Sequence, residues 1–530
     1  MTAKQSIVQT SRPTLRVKQY NTASKKYELE ETISEAVNEY LLSYSWSLSV
    51  SDTQGSFSLT LFPGQTAKGT RSATSGYELY DCLNTMDVVE IYENVYNTST
   101  ENTLKGINVT EQINALGITS GVSVDESIPV FIGVIKSKKY AAQMSDGGVT
   151  RRIQITGISA AGLIGQVQLD FSTQAMAVGD TLSANEGVFE ALTVSMTEFT
   201  NQSARSEGKK NTIANVINAV WQVFQNQARK ISSNCRILDM IDALGVSFDF
   251  DESTIEYYLA NVFASESTQS VFDMTRTVAG EPVYETFARF GYITIESNGT
   301  EYEEYRPLIK IRMVPFASDT WQALTHWELD AVAVKAFDFT QSDNEVYTVF
   351  FTYLDGYPVS EQMLMTLSAL LHQNATDKDA LAEVGQSDCL VAVNEEKYAI
   401  YGYRLLNAKF RGYHKENDVT NPRAMMQAMN ENMKEWFGSL DEMLSGSVSL
   451  AMTGGTSQIM PGDVAEFLGC EFYIEGVSHS WEVNRGGDIN LSLTRGGTYS
   501  GGKFSAASDI TAQARLLEGR AVSDDTEESA

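Results

Sequence analysis

The most constraining feature of this chain is a strict alternation near its start. Tyr44, Trp46, Leu48 and Val50 are interleaved with Ser45, Ser47 and Ser49. A period of two puts one set of side chains in a core and the other in solvent, which only a half-buried β-strand does. The polar cluster Ser51–Gly55 is a turn, and Phe57, Leu59 and Leu61 then alternate with Ser58 and Thr60 up to Pro63-Gly64. The stretch therefore predicts a β-hairpin with one wet, hydroxyl-bearing face.

Further short β-branched runs follow at 86–92, 130–137 and 152–158, and the Thr-, Asn- and Gly-rich stretch 97–126 between them is expected to be a loop excursion. The middle of the chain changes period. Ile213, Val216, Ile217, Val220, Trp221 and Phe224 recur at helical spacing, and 235–244 and 271–277 predict further helices. From Tyr292 the β pattern returns, at 292–295, 308–314 and 345–353. The last is apolar throughout, as a strand covered on both faces would be. A helical excursion is expected at 362–371 and a return to the sheet at 387–395. A long helix is expected over 421–443, with Asn421 as its cap and Pro422 in its first turn. Val448, Leu450 and Met452 predict a strand, Pro461-Gly462-Asp463 a turn, and Cys470–Val483 a long strand whose inward phase shifts at Gly476, as at a bulge. Asn484–Asp488 reads as its hairpin loop, with Ile489, Leu491 and Leu493 on the return strand. After Thr494 the chain is rich in Gly, Ser and Ala and ends in an acidic run, which predicts a flexible tail with at most a short helix near 511–520.

At 530 residues with 42% hydrophobic content, the chain is too long for one core and predicts two to four domains. These are 1–168 and 300–500 as β units, 169–299 as a mostly helical insert or connector, and 501–530 as the tail. The fold class is α+β, mainly β. The formal net charge of −29 disfavours a nucleic-acid binder, which needs the opposite sign. The start of the chain is polar and no apolar run approaches about 18 residues, so neither a signal peptide nor a membrane span is expected.

Candidate chemistry is sparse. Cys82, Cys235, Cys389 and Cys470 are scattered without CxxC spacing, and the four histidines, His326, His372, His414 and His479, show no paired spacing. No metal site or disulfide framework is therefore expected. The acidic clusters at Glu28-Glu30-Glu31, Asp249-Asp251-Glu252 and Glu301-Glu303-Glu304 read as solvated faces rather than catalytic carboxylates. His479, near Trp481, reads as structural. Lys136, Ser137, Lys138 and Lys139, joined by Arg151 and Arg152, form the main basic cluster, either a solvated face or a contact for an acidic neighbour. No nucleophile elbow, zinc-protease or phosphate-loop motif occurs. The chain is expected to have no catalytic, cofactor-binding or metal-binding residues.

Several strings taken together resemble a family. Met313–Trp321 (MVPFASDTW), Ser342–Phe350 (SDNEVYTVF), Tyr401–Leu406 (YGYRLL), Pro461–Asp463 (PGD), Phe472–Ser480 (FYIEGVSHS) and Leu491–Gly496 (LSLTRG) are similar, in order and spacing, to strings in the baseplate hub proteins of phage tails. Asp87–Tyr92, Gly133 and Arg151–Gly157 resemble strands of the first barrel in these hubs. Met313, Ala317-Ser318 and Leu405 depart from the family's usual residues. The resemblance implies two tail-tube-like β-barrel domains per chain and a homotrimer forming a pseudo-sixfold ring. That ring would match the hexameric tail tube protein at one end and a trimeric central spike protein at the other. It implies a structural role in a virion tail baseplate assembled in the host cytoplasm, and no enzyme. DNA or a tape-measure protein would pass through the lumen, and acidic walls would keep either from sticking. The main rival reading is a hub-like tail protein with peptidoglycan hydrolase or carbohydrate-binding activity housed in 169–299. Another is the base of a non-contractile tail tip.

Overall fold

The computed structural model describes residues 13–24, 26–52, 54–66, 77–93, 128–145, 148–170, 212–231, 233, 235–251, 257–259, 268–297, 300–315, 318–329, 333–354, 391–410, 412–414, 422–452, 456–500 and 503–506. The expected loop at 97–126, the helices at 362–371 and 511–520, and the acidic terminal run lie outside them.

Thirteen strands organise the description. They are β1 (Thr14–Asn21), β2 (Lys26–Leu29), β3 (Leu41–Ser49), β4 (Ser56–Leu61), β5 (Val88–Tyr92), β6 (Phe131–Ser145) and β7 (Gly148–Ser159), then β8 (Tyr284–Ser297), β9 (Thr300–Met313), β10 (Val334–Thr340), β11 (Leu444–Ala451), β12 (Cys470–Glu482) and β13 (Gly486–Ser500). All but β8 and β9 belong to one 14-stranded sheet whose main path is β10-β11-β13-β12-β3-β4-β7-β6-β5-β1-β2. Every neighbouring pair along that path is antiparallel. The chain is thus mainly β, as its periodicity predicts.

The two β-rich parts of the sequence meet at a seam. There β3 pairs with β12 over seven positions, from Gly476↔Ser49 to Glu482↔Ser43. Two closed barrels are the expectation from the resemblance, and among the described residues no set of strands closes. A barrel closes only when an edge strand returns to the opposite edge of its own sheet. Here the free edge of β3 is taken by β12 from the other part of the chain. A single hydrophobic cluster accordingly runs through both parts, and Trp46, Phe131, Phe290, Trp321 and Phe472 are all fully buried within it.

The first hairpin forms as read: Tyr44, Trp46, Leu48, Phe57, Leu59 and Leu61 point inward. The phase shift near Gly476 is a bulge, with the β12/β13 register slipping between Ile474 and Gly476. The extra residue reverses which face each later side chain takes.

The helix Glu31–Tyr40 is not evident from the sequence pattern, yet it has a defined role. Its Ser34 hydroxyl accepts from the Val17 amide at 2.9 Å, and Asn38 exchanges two hydrogen bonds with the Leu15 backbone at 2.8 and 2.7 Å. Helix side chains thereby satisfy the part of the β1 edge that β2 does not reach, closing an exposed template for strand addition.

The segment 169–299 holds the expected helices, at Ile213–Ile231, Arg236–Leu244 and Val271–Ala279. The latter two end on left-handed glycines, Gly245 (φ 65°) and Gly280 (φ 87°). It also supplies strands. Ser247–Phe250 runs parallel to β9, and β8 forms a long antiparallel pair with β9. The predicted strand at 345–353 is found at Val349–Leu354, where Val349, Phe350, Phe351 and Thr352 are buried. It pairs with Val391–Val393 and Leu405–Phe410 in a separate three-stranded sheet. The helix after Asn421 runs from Pro422 to Phe437, and Met429, Met433 and Trp436 are buried. The tail is not all flexible: β13 continues to Ser500 and folds back on Lys503–Ala506.

Candidate functional site

The seam is closed by a buried polar cluster. Residues paired across antiparallel strands share a face, so Trp46 and His479 meet, as do Tyr44 and Trp481. The His479 ring lies on Trp46 with centroids 4.0 Å apart, and Tyr44 stacks with Trp481 at 6.2 Å. Glu93, just beyond β5, points its carboxylate into this group. It accepts from Tyr44 Oη at 2.7 Å, His479 Nδ1 at 2.8 Å and Trp46 Nε1 at 3.3 Å. The side chains of Glu93 and His479 are both fully buried. Burial, and then the charge of Glu93, push the Tyr44 phenol well above its usual range. A carboxylate with three donors offsets its desolvation by hydrogen bonding. Two of the donors, Tyr44 and Trp46, come from its own part of the chain, and the third, His479, is supplied across the seam. His479 shares its inward face with Trp481, and its place here is that of a seam residue.

A second buried cluster gathers the family-like strings. Arg312, beside Met313, donates to Glu285 at 2.5 Å, to the Gly462 carbonyl at 2.7 Å and to Tyr473 Oη at 3.0 Å. Tyr473 in turn donates to Glu285 at 2.7 Å. Burial works against the Arg312 cation more than any single neighbour favours it, but the Glu285 charge, Tyr473 and the hydrogen bond to Glu285 together outweigh it and the guanidinium pKa is raised. Asp463 accepts from Arg289 at 3.1 Å and Trp327 Nε1 at 3.0 Å, and Trp321 Nε1 donates to Glu471 at 2.5 Å. Arg495, held at a positive φ of 55°, lays its guanidinium 4.1 Å from the Trp436 ring centre. MVPFASDTW, PGD, FYIEGVSHS and LSLTRG therefore converge on one hydrogen-bonded and aromatic node. SDNEVYTVF and YGYRLL meet at another, where Val349 pairs with Leu405, Thr348 donates to the Gly402 carbonyl at 2.7 Å and Arg404 donates to the Asp343 carbonyl at 2.5 Å.

The solvent face of the sheet is the third feature. Side chains opposite the core residues form cross-strand rows. One runs Ser449, Asn490, Ser478, Ser47, Ser56, and the next includes Ser480, Ser45, Ser58, Thr156 and Ser137. Ser45 and Ser58 lie 3.1 Å apart, Ser47 and Ser56 2.9 Å, and Ser137 and Thr156 2.7 Å. The rows are small and hydroxylated, and charges bound them: Glu482 lies opposite Ser43 at one end of the seam, Asp488, paired with Lys335, lies opposite Ser480, and Lys139 lies beyond β7.

The other candidate residues stay apart. Asp249 and Asp251 both pair with Lys310, the former at 3.0 Å, and Glu28 accepts from Asn21 and Ser24. Glu304 is tied to Arg306 at 2.7 Å, while Glu301 and Glu303 are exposed on the β8–β9 hairpin. His326 contacts Glu466 at 3.1 Å; His372 and Cys389 lie outside the described residues. Cys82, Cys235 and Cys470 form no disulfide among the described residues. Among the described residues no group of three or more His, Cys, Asp or Glu is placed to hold a metal ion, and no helix is long and apolar enough to cross a membrane. In the basic cluster, Lys138 is engaged by the carbonyls of Tyr80 at 2.8 Å and Leu83 at 2.6 Å. Glu93 and Glu285 carry the two clusters, and neither is marked out in an acidic sequence.

No protein-family model matches the chain, and no curated protein matches its sequence. Solved structures do match in shape. A tail protein from Neisseria meningitidis MC58 covers 91% of this chain and 97% of its own, at 10% identity and a TM-score of 0.42. The 43 kDa tail protein of prophage MuSo2 from Shewanella oneidensis covers 91% and 98%, at 10% identity and a TM-score of 0.39. An E. coli component of the type VI secretion system, itself reported to be structurally similar to the T4 bacteriophage tail proteins gp27 and gp5, covers 89% and 77%, at 9% identity and a TM-score of 0.31.

Proposed function

We propose that the protein is a structural subunit of a phage-type tail or related injection device, a baseplate hub. Three copies form a ring that adapts the hexameric tail tube to a trimeric central spike around a channel. The observation that carries the reading is the single sheet spanning both β-rich parts. One face is locked to the core by the Glu93 and Arg312 clusters, and the other is covered by hydroxyls. A subunit that bears load along a tail needs its two β units rigidly coupled, and buried charges with several partners break only at high cost.

The hydroxylated face is the wall we assign to the channel. Short Ser and Thr side chains keep their water and present neither a counter-charge for phosphates nor an apolar patch for an unfolded polypeptide. DNA or a tape-measure protein would slide past without a strong binding register. In this reading the hydration of the Ser and Thr rows keeps the wall non-adhesive, beside the acidic balance of the whole chain. Tail tube protein and spike are the partners in this reading, and the role is one of assembly rather than catalysis.

The test is the solution mass of the purified protein by light scattering, alone and with its candidate spike. A trimer, or a monomer that becomes trimeric on the spike, is the expected result. A persistent monomer that binds no tail protein refutes the proposal.

A further inference from the structure

We infer that the β6–β7 arm is a self-recognition surface that binds the β8–β9 arm of a second copy of the chain. The inference rests on the ring reading and deepens it by naming the contact. Beyond the register shift at Ile135/Ser137 the β6–β7 hairpin continues to Ser145↔Gly148, and its far half leaves the core. Ala142, Gln143, Arg151 and Arg152 are exposed there, and Met144 is 86% exposed.

The cations of the arm divide into two groups. Lys136 and Lys138 are used locally, by Gln166 and by the carbonyls of Tyr80 and Leu83. Lys139, Arg151 and Arg152 make no ion pair among the described residues. Lys139 pairs with Gln154 and Ala141 with Arg152, so Lys139 and Arg152 are diagonal neighbours on one face, while Arg151, opposite Ala142, occupies the other. The arm is therefore positive on both faces, in a chain whose formal charge is −29.

The β8–β9 arm is its complement. Glu301 and Glu303 are exposed and make no ion pair among the described residues, and Glu304 is only half-engaged, by Arg306. Tyr292, 55% exposed, packs edge-on against Tyr305 at 5.2 Å on the same hairpin. One arm offers cations and an exposed methionine; the other offers carboxylates and an exposed tyrosine. No hydrogen bond or ion pair joins the two arms within one chain among the described residues. Two different surfaces that fit each other between copies make a head-to-tail contact, the kind that closes into a ring when the rotation allows. A nucleic acid fits the basic arm less well, because the net charge of the whole molecule repels a phosphate backbone at long range.

The experiment uses the full chain and measures its mass distribution by sedimentation velocity at low and high salt. The variants are Lys139→Glu/Arg151→Glu/Arg152→Glu, Glu301→Lys/Glu303→Lys, and the two sets combined, with near-UV circular dichroism as the folding control. Neutral Lys139→Gln/Arg151→Gln/Arg152→Gln gives a milder version of the first. Each reversal alone is expected to weaken self-association roughly a hundredfold at low salt, with a smaller effect at high salt, and the combination to restore most of it. A folded triple reversal that assembles like the wild type overturns the inference and leaves the hub reading standing. Losses from both arms that the combination does not rescue overturn the pairing of these two arms. Reversal that abolishes retention of duplex DNA but leaves the mass unchanged assigns the basic arm to nucleic acid, and also overturns it. A wild-type chain that stays monomeric at every concentration and binds no tail protein defeats the hub reading itself.

Discussion

Replacing Glu93 by alanine tests the seam directly. The substitution removes the common acceptor of Tyr44 Oη, Trp46 Nε1 and His479 Nδ1, all of which remain buried. Each stranded donor costs about 1–3 kcal/mol, and with three donors stranded and some relaxation of the cluster a loss of about 4 kcal/mol is expected. Glu93→Gln keeps the volume and one acceptor oxygen but turns an amide N–H₂ toward donors, and should cost roughly half as much. Urea unfolding followed by tryptophan fluorescence and by far-UV circular dichroism is the assay. Trp46 and Trp481 at the seam contribute to the fluorescence together with four tryptophans elsewhere, so fluorescence reports the tertiary packing while dichroism reports the sheet. A double-mutant cycle of Glu93→Ala with His479→Ala should give a coupling of about 1–3 kcal/mol. A Glu93→Ala variant within about 0.5 kcal/mol of the wild type, or strict additivity in the cycle, would refute the argument that this cluster locks the two parts together.

Arg312→Ala should destabilise the protein by about 3–5 kcal/mol in the same unfolding assay, because it leaves the buried Glu285 carboxylate with only the Tyr473 hydroxyl. The carboxyl of Asp87 is pushed up to about 6, first by burial, while Gln19 and the Asn84 amide partly counter that. Since the folded form holds its proton more tightly than the unfolded one, this group's contribution is greatest below the ordinary carboxylate range and is lost as pH rises from about 4 to about 6, by at most about 3 kcal/mol. Asp87→Asn can still accept the hydrogen bonds of Gln19 and Asn84 through one oxygen, so it should raise stability at neutral pH and flatten the difference curve over that window. An unchanged pH profile would refute the assignment. Gly157→Ala places a Cβ 2.2 Å from both the Phe57 ring and the Val134 carbonyl, across the β6–β7 pair, and should cost about 1–3 kcal/mol by thermal or urea unfolding; a neutral result would show that the strands can separate freely there.

Much of the local architecture was legible in the residues. The Tyr44–Val50 alternation, the helical spacing around Ile213 and Trp221, and the phase change at Gly476 each record which face a side chain takes, and that preference is set by the residue and its near neighbours. The helix Glu31–Tyr40 was not legible, because its few inward residues are Ile33, Ser34, Ala36 and Val37, and Ser34 owes its burial to a backbone partner on β1. Glu93 was not legible either: one carboxylate in so acidic a chain carries no mark of the partner 386 residues away, His479.

By itself, the sequence determined the period of each element, the hydroxyl-bearing side of each strand and the acidity of the whole. The tertiary structure alone decided which strand edges meet. Backbone amides and carbonyls are the same at every position, so β3 carries no label that directs it to β12 rather than to a strand of its own half. Its partner is selected only when Trp46, Tyr44, Glu93, His479 and Trp481 are buried together.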